Sequence, residues 1–197
     1  MTDLRVIAAM LEVPRERFVP SDHAELAYLD SDLPVDVASG RRLLKPMVFG
    51  KMLQAAELAP TDRVLDVGCA TGYSAAVLAR VAGQVTALEQ DSALLRFAAA
   101  ALRSMPNIEV VSGPLDEGWP AGAPYDAILL EGATEIAPEA LLRQLNDHGR
   151  LLCIQGNGPD AKATLYRKSE GDIGVRPIFD ARARTLPGFV KPPAFAF

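Results

Sequence analysis

The sequence predicts an open α/β sheet that is mostly parallel and ends in an antiparallel hairpin. From residue 60 onward, short and almost continuously apolar runs alternate with segments of helical periodicity. Apolar strands separated by helices are what a parallel sheet covered on both faces needs. Near the C-terminus, two strand-like runs follow each other too closely for a helix to lie between them, which predicts a hairpin at the sheet edge.

The residues before 60 predict a helical portion. Apolar residues recur at helical spacing over residues 4–13, and Pro14 ends this helix. A short helix is possible over residues 23–28. A second long helix is predicted over residues 46–58, because proline suits a first turn and one helix face is apolar.

The elements of the α/β portion follow in order along the chain. Strands are predicted at residues 63–67, 84–88, 108–111, 125–130 and 150–154, and helices at 71–82, 92–105 and 138–145. The C-terminal hairpin joins 162–168 to 175–179. Because no repeat or linker divides the chain, we expect one domain, 1–197, with a helical portion (1–59) and an α/β core (60–197).

Composition and charge exclude several classes of function. The chain has 197 residues, 49% of them hydrophobic, and 20 Lys+Arg against 25 Asp+Glu. A net charge of -5 argues against nucleic-acid binding, and no run approaches the roughly 20 apolar residues that a membrane span needs. We therefore expect a cytoplasmic protein. Cys69 and Cys153 lie in apolar runs, which predicts buried thiols and no metal site.

The end of the first core strand is the segment richest in chemistry. It reads Asp66, Val67, Gly68, Cys69, Ala70, Thr71, Gly72, Tyr73. Glycine lets the backbone approach a ligand, and the start of the following helix offers free N–H groups. A dinucleotide-binding turn would place its third small residue one position later, so this spacing favours an amino-acid or nucleoside ligand over a pyrophosphate.

Two carboxylates stand at strand ends beside this turn. Glu89, followed by Gln90, closes the next strand, from where a carboxylate can accept hydrogen bonds from both hydroxyls of a ribose. Asp66 can orient the turn or reach an ammonium group. Each alone could be a solvated strand-end charge, but together with the glycine turn they predict a site for S-adenosylmethionine.

The chain resembles the class I methyltransferases and, over almost its whole length, the protein-L-isoaspartate O-methyltransferase family. The most specific match is the run Val13, Pro14, Arg15, Glu16, Arg17, Phe18, Val19, Pro20; others are Gly68, Gly72, Tyr73, Gly118, Trp119, Pro120, Pro138, Gly149 and Arg150. The resemblance implies a Rossmann-like fold with seven strands and an N-terminal substrate lid. It also implies methyl transfer from S-adenosylmethionine to a carboxylate of an isoaspartyl protein or peptide.

The substrate segment departs from the family pattern. The family's Thr-Ile-Ser-Gln run becomes Arg42, Leu43, Leu44, Lys45. Leu44 thus removes a hydroxyl and Lys45 adds a cation. The substrate carboxylate could be held by Lys45 or Arg42 through charge-assisted hydrogen bonds, and these side chains could equally face solvent.

Two further departures concern residues that the resemblance places near the cofactor. The family's Gly-Asp-Gly becomes Gly113, Pro114, Leu115, so that Leu115 would be an apolar wall for the adenine. Glu131 begins the loop where the family favours Thr-Ala-Ala. A carboxylate there could repel an anionic substrate or pair with Lys45.

Three functions stay open at this point. The first is an active isoaspartyl methyltransferase, and the second is an enzyme for another acid, favoured by Arg41, Arg42 and Lys45. The third is a non-catalytic module that binds the cofactor and a protein partner. The sequence leaves monomer and dimer open, and it predicts that the aromatic tail from Leu186 packs across the sheet edge or a neighbouring subunit.

Overall fold

The N-terminal portion contains two helices and a small two-stranded sheet. The computed structural model describes residues 2–36 and 38–192. Helix α1 spans Leu4–Glu12, strands β1 (Leu33–Pro34) and β2 (Arg42–Leu43) pair antiparallel, and helix α2 spans Pro46–Ala56. The predicted short helix is a 3-10 helix at Ser21–Leu26, preceded by another at Arg15–Phe18. The two-residue strands escaped prediction because they are too short to show periodicity.

The α/β core forms one seven-stranded sheet. Its elements are β3 (Arg63–Val67), α3 (Tyr73–Leu78), β4 (Gln84–Glu89), α4 (Ser92–Leu102), β5 (Ile108–Ser112), β6 (Tyr125–Thr134), α5 (Glu139–Leu142), β7 (Leu145–Gln155), β8 (Lys162–Ser169) and β9 (Asp172–Asp180). The strand order is β5-β4-β3-β6-β7-β8-β9, with β8 and β9 antiparallel. The predicted mostly parallel sheet with a C-terminal hairpin is confirmed.

Several element boundaries differ from the prediction. Helix α3 ends at Leu78 and α5 at Leu142, both earlier than expected, because residues 79–82 and 143–144 continue as turns. Strands β6 and β7 are longer than their apolar runs and contain register shifts. Strand pairing uses backbone groups, so it extends through polar residues that the hydrophobic pattern excludes.

Alternating residues of the central strands divide the core into two clusters. Val64 of β3 packs into one cluster, whereas Leu65 and Val67 pack into the other. This is the two-residue period of a strand buried on both faces. Cys69 and Cys153 are both fully buried, as predicted, and burial raises the pKa of Cys153 to about 12. Within the described residues, no helix has the length and apolar character needed to cross a bilayer.

The strand order reverses between β3 and β6, and this reversal creates a crevice at the carboxyl ends of the strands. Open α/β sheets bind ligands at such a switch point. Strand β6 extends beyond β3, whose last pair is Val67 with Leu130. Beyond it, a bridge joins Ala133 to Thr185, and the Leu186 amide donates to the Ala133 carbonyl at 2.9 Å.

The C-terminal segment therefore crosses the carboxyl end of the sheet. The prediction had instead placed it at the sheet edge or on a neighbouring subunit. The Glu135 amide donates to the carbonyl of Phe189 at 2.9 Å, and the Phe189 side chain is only 1% exposed. Phe195 and Phe197, also part of the predicted aromatic tail, lie outside the described residues. Strand β6 offers free backbone groups beyond β3, and the segment pairs with them.

Arg150 joins helix α2 to the sheet, and its removal is expected to destabilise the fold. Its guanidinium donates to the carbonyls of Ala56, Glu57 and Asp126 and pairs with the Asp62 carboxylate. Arg150→Ala removes the guanidinium donor from the partly buried carbonyls of Ala56 and Asp126 and the cation from Asp62, which keeps the Ala59 amide. We expect a loss of about 3 kcal/mol in the free energy of unfolding, measured by urea denaturation.

The matched control for this prediction is Arg143→Ala. Arg143 is exposed, and its side chain makes no hydrogen bond or ion pair within residues 2–36 and 38–192. Its replacement should change stability by less than about 0.5 kcal/mol. Equal effects of the two substitutions would contradict the assigned role of Arg150.

Candidate functional site

The glycine turn after β3 has the backbone that the sequence predicts. Gly68 and Gly72 have positive φ angles of 78° and 95°, a region that side chains with a Cβ rarely adopt. Gly72 is the N-cap of α3, and the Gly68 amide donates to the Leu88 carbonyl at 2.9 Å. The Thr71 hydroxyl donates to the carbonyl of Phe18 at 2.6 Å. The turn is thus tied both to β4 and to the N-terminal portion.

Glu89 lies at the end of β4 and is fully buried, and it accepts hydrogen bonds from three backbone amides and one guanidinium. Oε2 accepts from the Ala70 amide at 2.9 Å. Oε1 accepts from the amides of Gln90 at 2.9 Å and Asp91 at 3.0 Å. It also accepts from Arg41 Nη1 at 2.9 Å. The predicted ribose acceptor therefore holds a guanidinium.

Arg41, Arg42 and Lys45 have different surroundings, although they are close in sequence. Arg41 is 5% exposed, and its Nη2 donates to the Gly68 carbonyl at 2.8 Å. Arg42 is exposed and donates to the Asp32 carbonyl at 3.3 Å. Lys45 is half-buried, and its amide donates to Asp32. Only Arg41 reaches the glycine turn, an arrangement that the sequence did not indicate.

Asp66 presents an unpartnered oxygen beside the turn. The side chain is fully buried, and Oδ2 accepts a hydrogen bond from the Ser74 hydroxyl at 2.6 Å. Oδ1 has no hydrogen-bond partner in the part of the chain that the structure describes. Burial raises the pKa of Asp66 to about 7. A buried oxygen of this kind is suited to a cationic ligand group.

Glu131 and Arg15 add further unpartnered polar atoms among the described residues. Glu131 is 8% exposed, and its Oε1 has no partner among the described residues. Burial raises the pKa of Glu131 well above its ordinary range. Arg15 Nη2 donates to the Leu44 carbonyl at 2.8 Å, and its guanidinium lies 4.5 Å from the ring centre of Tyr73.

Arg15 is a site residue that the sequence reasoning missed. Its side chain is 1% exposed, and burial lowers its pKa. Nε and Nη1 have no partner within residues 2–36 and 38–192. Arg15 entered the sequence argument only through the family-specific run. Its 3-10 helix has no periodicity that would have shown which way the side chain points.

A small cleft opens beside these groups. It encloses about 180 Å³ and is lined by Leu44, Glu131, Arg42, Arg184 and Leu186, among others. This volume is below the roughly 300 Å³ at the lower end of small-molecule sites. Of the two possibilities left open for Glu131, pairing with Lys45 is absent among the ion pairs of the described residues. The cleft thus combines a buried carboxyl with two exposed arginines.

The remaining predicted cofactor contacts lie at the opposite side of β4. Gln90 Oε1 accepts a hydrogen bond from the Leu115 amide at 3.4 Å, and Pro114 is exposed. Leu115 is fully buried in the cluster that also contains Phe189. Its side chain therefore belongs to the apolar core.

The residues of the site fit S-adenosylmethionine by their chemistry. A carboxylate ends β4, a second carboxylate has a buried free oxygen, and the turn between them allows close approach. The side chains of Arg41 and Leu186 lie beside Gly68 of this turn. Among the described residues, no group of three His, Cys, Asp or Glu side chains is placed to bind a metal ion.

Sequence comparisons identify the relatives of the chain. The sequence model of the protein-L-isoaspartate(D-aspartate) O-methyltransferase family matches residues 1–182. Protein-L-isoaspartate O-methyltransferase 1 of Rhodopseudomonas palustris (strain HaA2) is 40% identical over 190 residues, which cover 94% of this chain and 77% of the relative. The second such enzyme of Pelobacter propionicus is 43% identical over 176 residues, covering 88% and 77%.

Solved structures agree with these relatives. A protein-L-isoaspartate O-methyltransferase structure matches with a TM-score of 0.84 at 25% identity, covering 94% of this chain and 62% of that chain. The Plasmodium falciparum structure described as a complex with S-adenosyl-L-homocysteine matches with a TM-score of 0.80 at 21% identity, covering 94% and 91%. The latter likeness concerns the fold. By its sequence matches, the chain belongs to the protein-L-isoaspartate(D-aspartate) O-methyltransferase family.

Proposed function

We propose that this protein transfers the methyl group of S-adenosylmethionine to a carboxylate of an isoaspartyl protein or peptide. The observation that supports this most strongly is the placement of Asp66, the glycine turn and Glu89 around the switch point of the sheet. The relatives at 40–43% identity are named for this activity. The proposal extends that activity to this chain.

The proposed chemistry depends mainly on positioning. The cofactor, when bound, supplies a methyl group already activated by its sulfonium. Glu89 would accept hydrogen bonds from the ribose hydroxyls, and the free oxygen of Asp66 would bind the ammonium group. A carboxylate is a sufficient nucleophile at neutral pH, so the site needs alignment and exclusion of water more than a strong base.

The acceptor side of the site suits an anion. Arg42 and Arg184 line the cleft and can form charge-assisted hydrogen bonds with a carboxylate. Leu44 offers no hydroxyl, unlike the family's serine at this position. Burial raises the pKa of Glu131 well above its ordinary range, which favours the neutral carboxyl and so weakens its repulsion of an anionic acceptor.

Methyl transfer to an isoaspartyl peptide tests the proposed activity directly. Purified protein incubated with methyl-labelled cofactor and an isoaspartyl peptide should form a base-labile methyl ester. Asp66→Asn should reduce the rate at least about tenfold by removing the anionic partner of the ammonium group. Asp172→Asn, an exposed change on β9, should leave the rate unchanged.

Three results would contradict parts of this proposal. If the wild type forms no methyl ester on any acid, the enzyme assignment fails, and if Asp66→Asn is as active as the wild type, Asp66 is not the ammonium partner. If a panel of small acids is methylated and the peptide is not, the carboxyl transfer holds and the isoaspartyl substrate is excluded.

Cofactor affinity is expected to rise with pH. The ammonium group binds the ionised form of Asp66. Because the pKa of Asp66 is about 7, most molecules have this carboxyl protonated at pH 6 and ionised at pH 8. The Kd for S-adenosylhomocysteine, measured by calorimetry, should fall about tenfold over this range. Asp66→Asn should flatten this dependence, and Asp172→Asn should preserve it. A flat wild-type profile would exclude Asp66 as the ammonium partner.

The same shift acts on the stability of the ligand-free protein with the opposite sign. The folded-state pKa of Asp66 lies above its unfolded value of about 4, so the folded protein retains a proton that the unfolded chain releases. The stabilisation of the folded protein by this retained proton is complete below about pH 4 and is lost as the pH rises through 7. The Tm of the wild type relative to Asp66→Asn should therefore decrease over this interval.

The two cleft arginines are expected to act on substrate binding. Arg42→Ala and Arg184→Ala should each raise the KM for an isoaspartyl peptide about fivefold with a smaller change in kcat, since each removes one charge-assisted contact. Arg103→Ala, an exposed change after α4, serves as the control. Unchanged KM values in both cleft variants would place the acceptor elsewhere.

A further inference from the structure

Two side chains of the protein itself lie in the crevice at the switch point. A Cβ atom built on Gly68 would lie 2.9 Å from Arg41 Nη2 and 3.4 Å from both methyl groups of Leu186. Both side chains therefore lie against the face of Gly68 that its missing side chain leaves open. A ligand bound by the turn would have to lie against that same face.

Arg41 contacts the groups that the proposed function assigns to the cofactor. Its Nη1 lies 2.9 Å from Glu89 Oε1, and its Nη2 lies 2.8 Å from the Gly68 carbonyl oxygen. Glu89 Oε1 already accepts from two backbone amides. With the guanidinium in place, Oε1 has three donors and a further one from a ribose hydroxyl is disfavoured there, whereas Oε2 accepts from the Ala70 amide.

Leu186 reaches the crevice from the C-terminal segment. Its amide donates to the Ala133 carbonyl at 2.9 Å, which holds the segment along the extension of β6 beyond the end of β3. A Cβ built on Gly132 would lie 2.7 Å from Leu186 Cγ, so the leucine is tightly seated. The segment begins just after residue 182, where the match to the family model ends.

We propose that Arg41 and Leu186 occupy part of the space that the cofactor would take, and that Arg41 competes with the cofactor for Glu89. The inference rests on the proposed function, because it concerns the same site. When Arg41 leaves, three backbone amides still satisfy the Glu89 carboxylate, so the exchange does not strand a buried charge. The apparent Kd for the cofactor then equals the intrinsic Kd divided by the fraction of molecules whose crevice is open.

Calorimetric titration with S-adenosylhomocysteine tests this competition. Arg41→Gln removes the charge that binds Glu89, and Arg176→Gln is the matched control on exposed β9. If fewer than about one molecule in ten has an open crevice, Arg41→Gln should lower the Kd about tenfold or more. The control should keep the wild-type Kd.

A second pair of variants tests the leucine without changing charge. Leu186→Ala should also lower the Kd, because it opens the space beside Gly68. Leu142→Ala removes a similarly buried leucine on α5 and should reduce stability without tightening cofactor binding. This pair keeps the proposal testable even if Arg41→Gln fails to fold.

The outcomes separate this inference from the proposed function. If the wild type binds and both site variants bind equally or more weakly, the competition is refuted and the cofactor assignment stands. If neither the wild type nor any variant binds, the cofactor assignment fails and the inference fails with it. Tighter binding by Arg41→Gln and Leu186→Ala, with both controls unchanged, supports the inference.

Discussion

The buried carboxylate of Glu89 is the interaction on which the arrangement of the site depends. A carboxylate without partners in the interior costs several kcal/mol, so its position requires donors from the surrounding chain. Those donors come from the glycine turn, from the residues after β4 and from Arg41. One side chain thereby fixes the turn, the end of a central strand and the segment that leads into β2.

The same carboxylate relates the fold to the proposed chemistry. Strand β4 brings Glu89 beside the end of β3, while β6 extends past that end and offers backbone groups to the C-terminal segment. Internal contacts thus stabilise this arrangement of the site, and a ligand at Glu89 would have to replace the one made by Arg41. Unpartnered atoms on Asp66, Glu131 and Arg15 surround this region, and buried polar groups of this kind are concentrated where proteins bind and react.

Much of the fold was predictable because its signals are local. The apolar strands, the alternating helices and the hairpin follow from periodicity and turn residues, and the spacing of Gly68 and Gly72 indicated the turn geometry that the structure shows. The predicted ends of the helices and strands were less accurate. Strand pairing extends β6 through Glu131, where a hydrophobic pattern would end it.

The sequence by itself determined the sheet, the glycine turn and the position of Glu89 at the end of its strand, because each depends on neighbouring residues. Only the tertiary structure decided what those groups contact. Arg41 lies 48 positions from Glu89 in the chain, and Leu186 lies more than 100 positions from Gly68. A charge pattern cannot distinguish an arginine that faces solvent from one that is buried on a carboxylate, because that choice depends on desolvation and on partners supplied by distant segments.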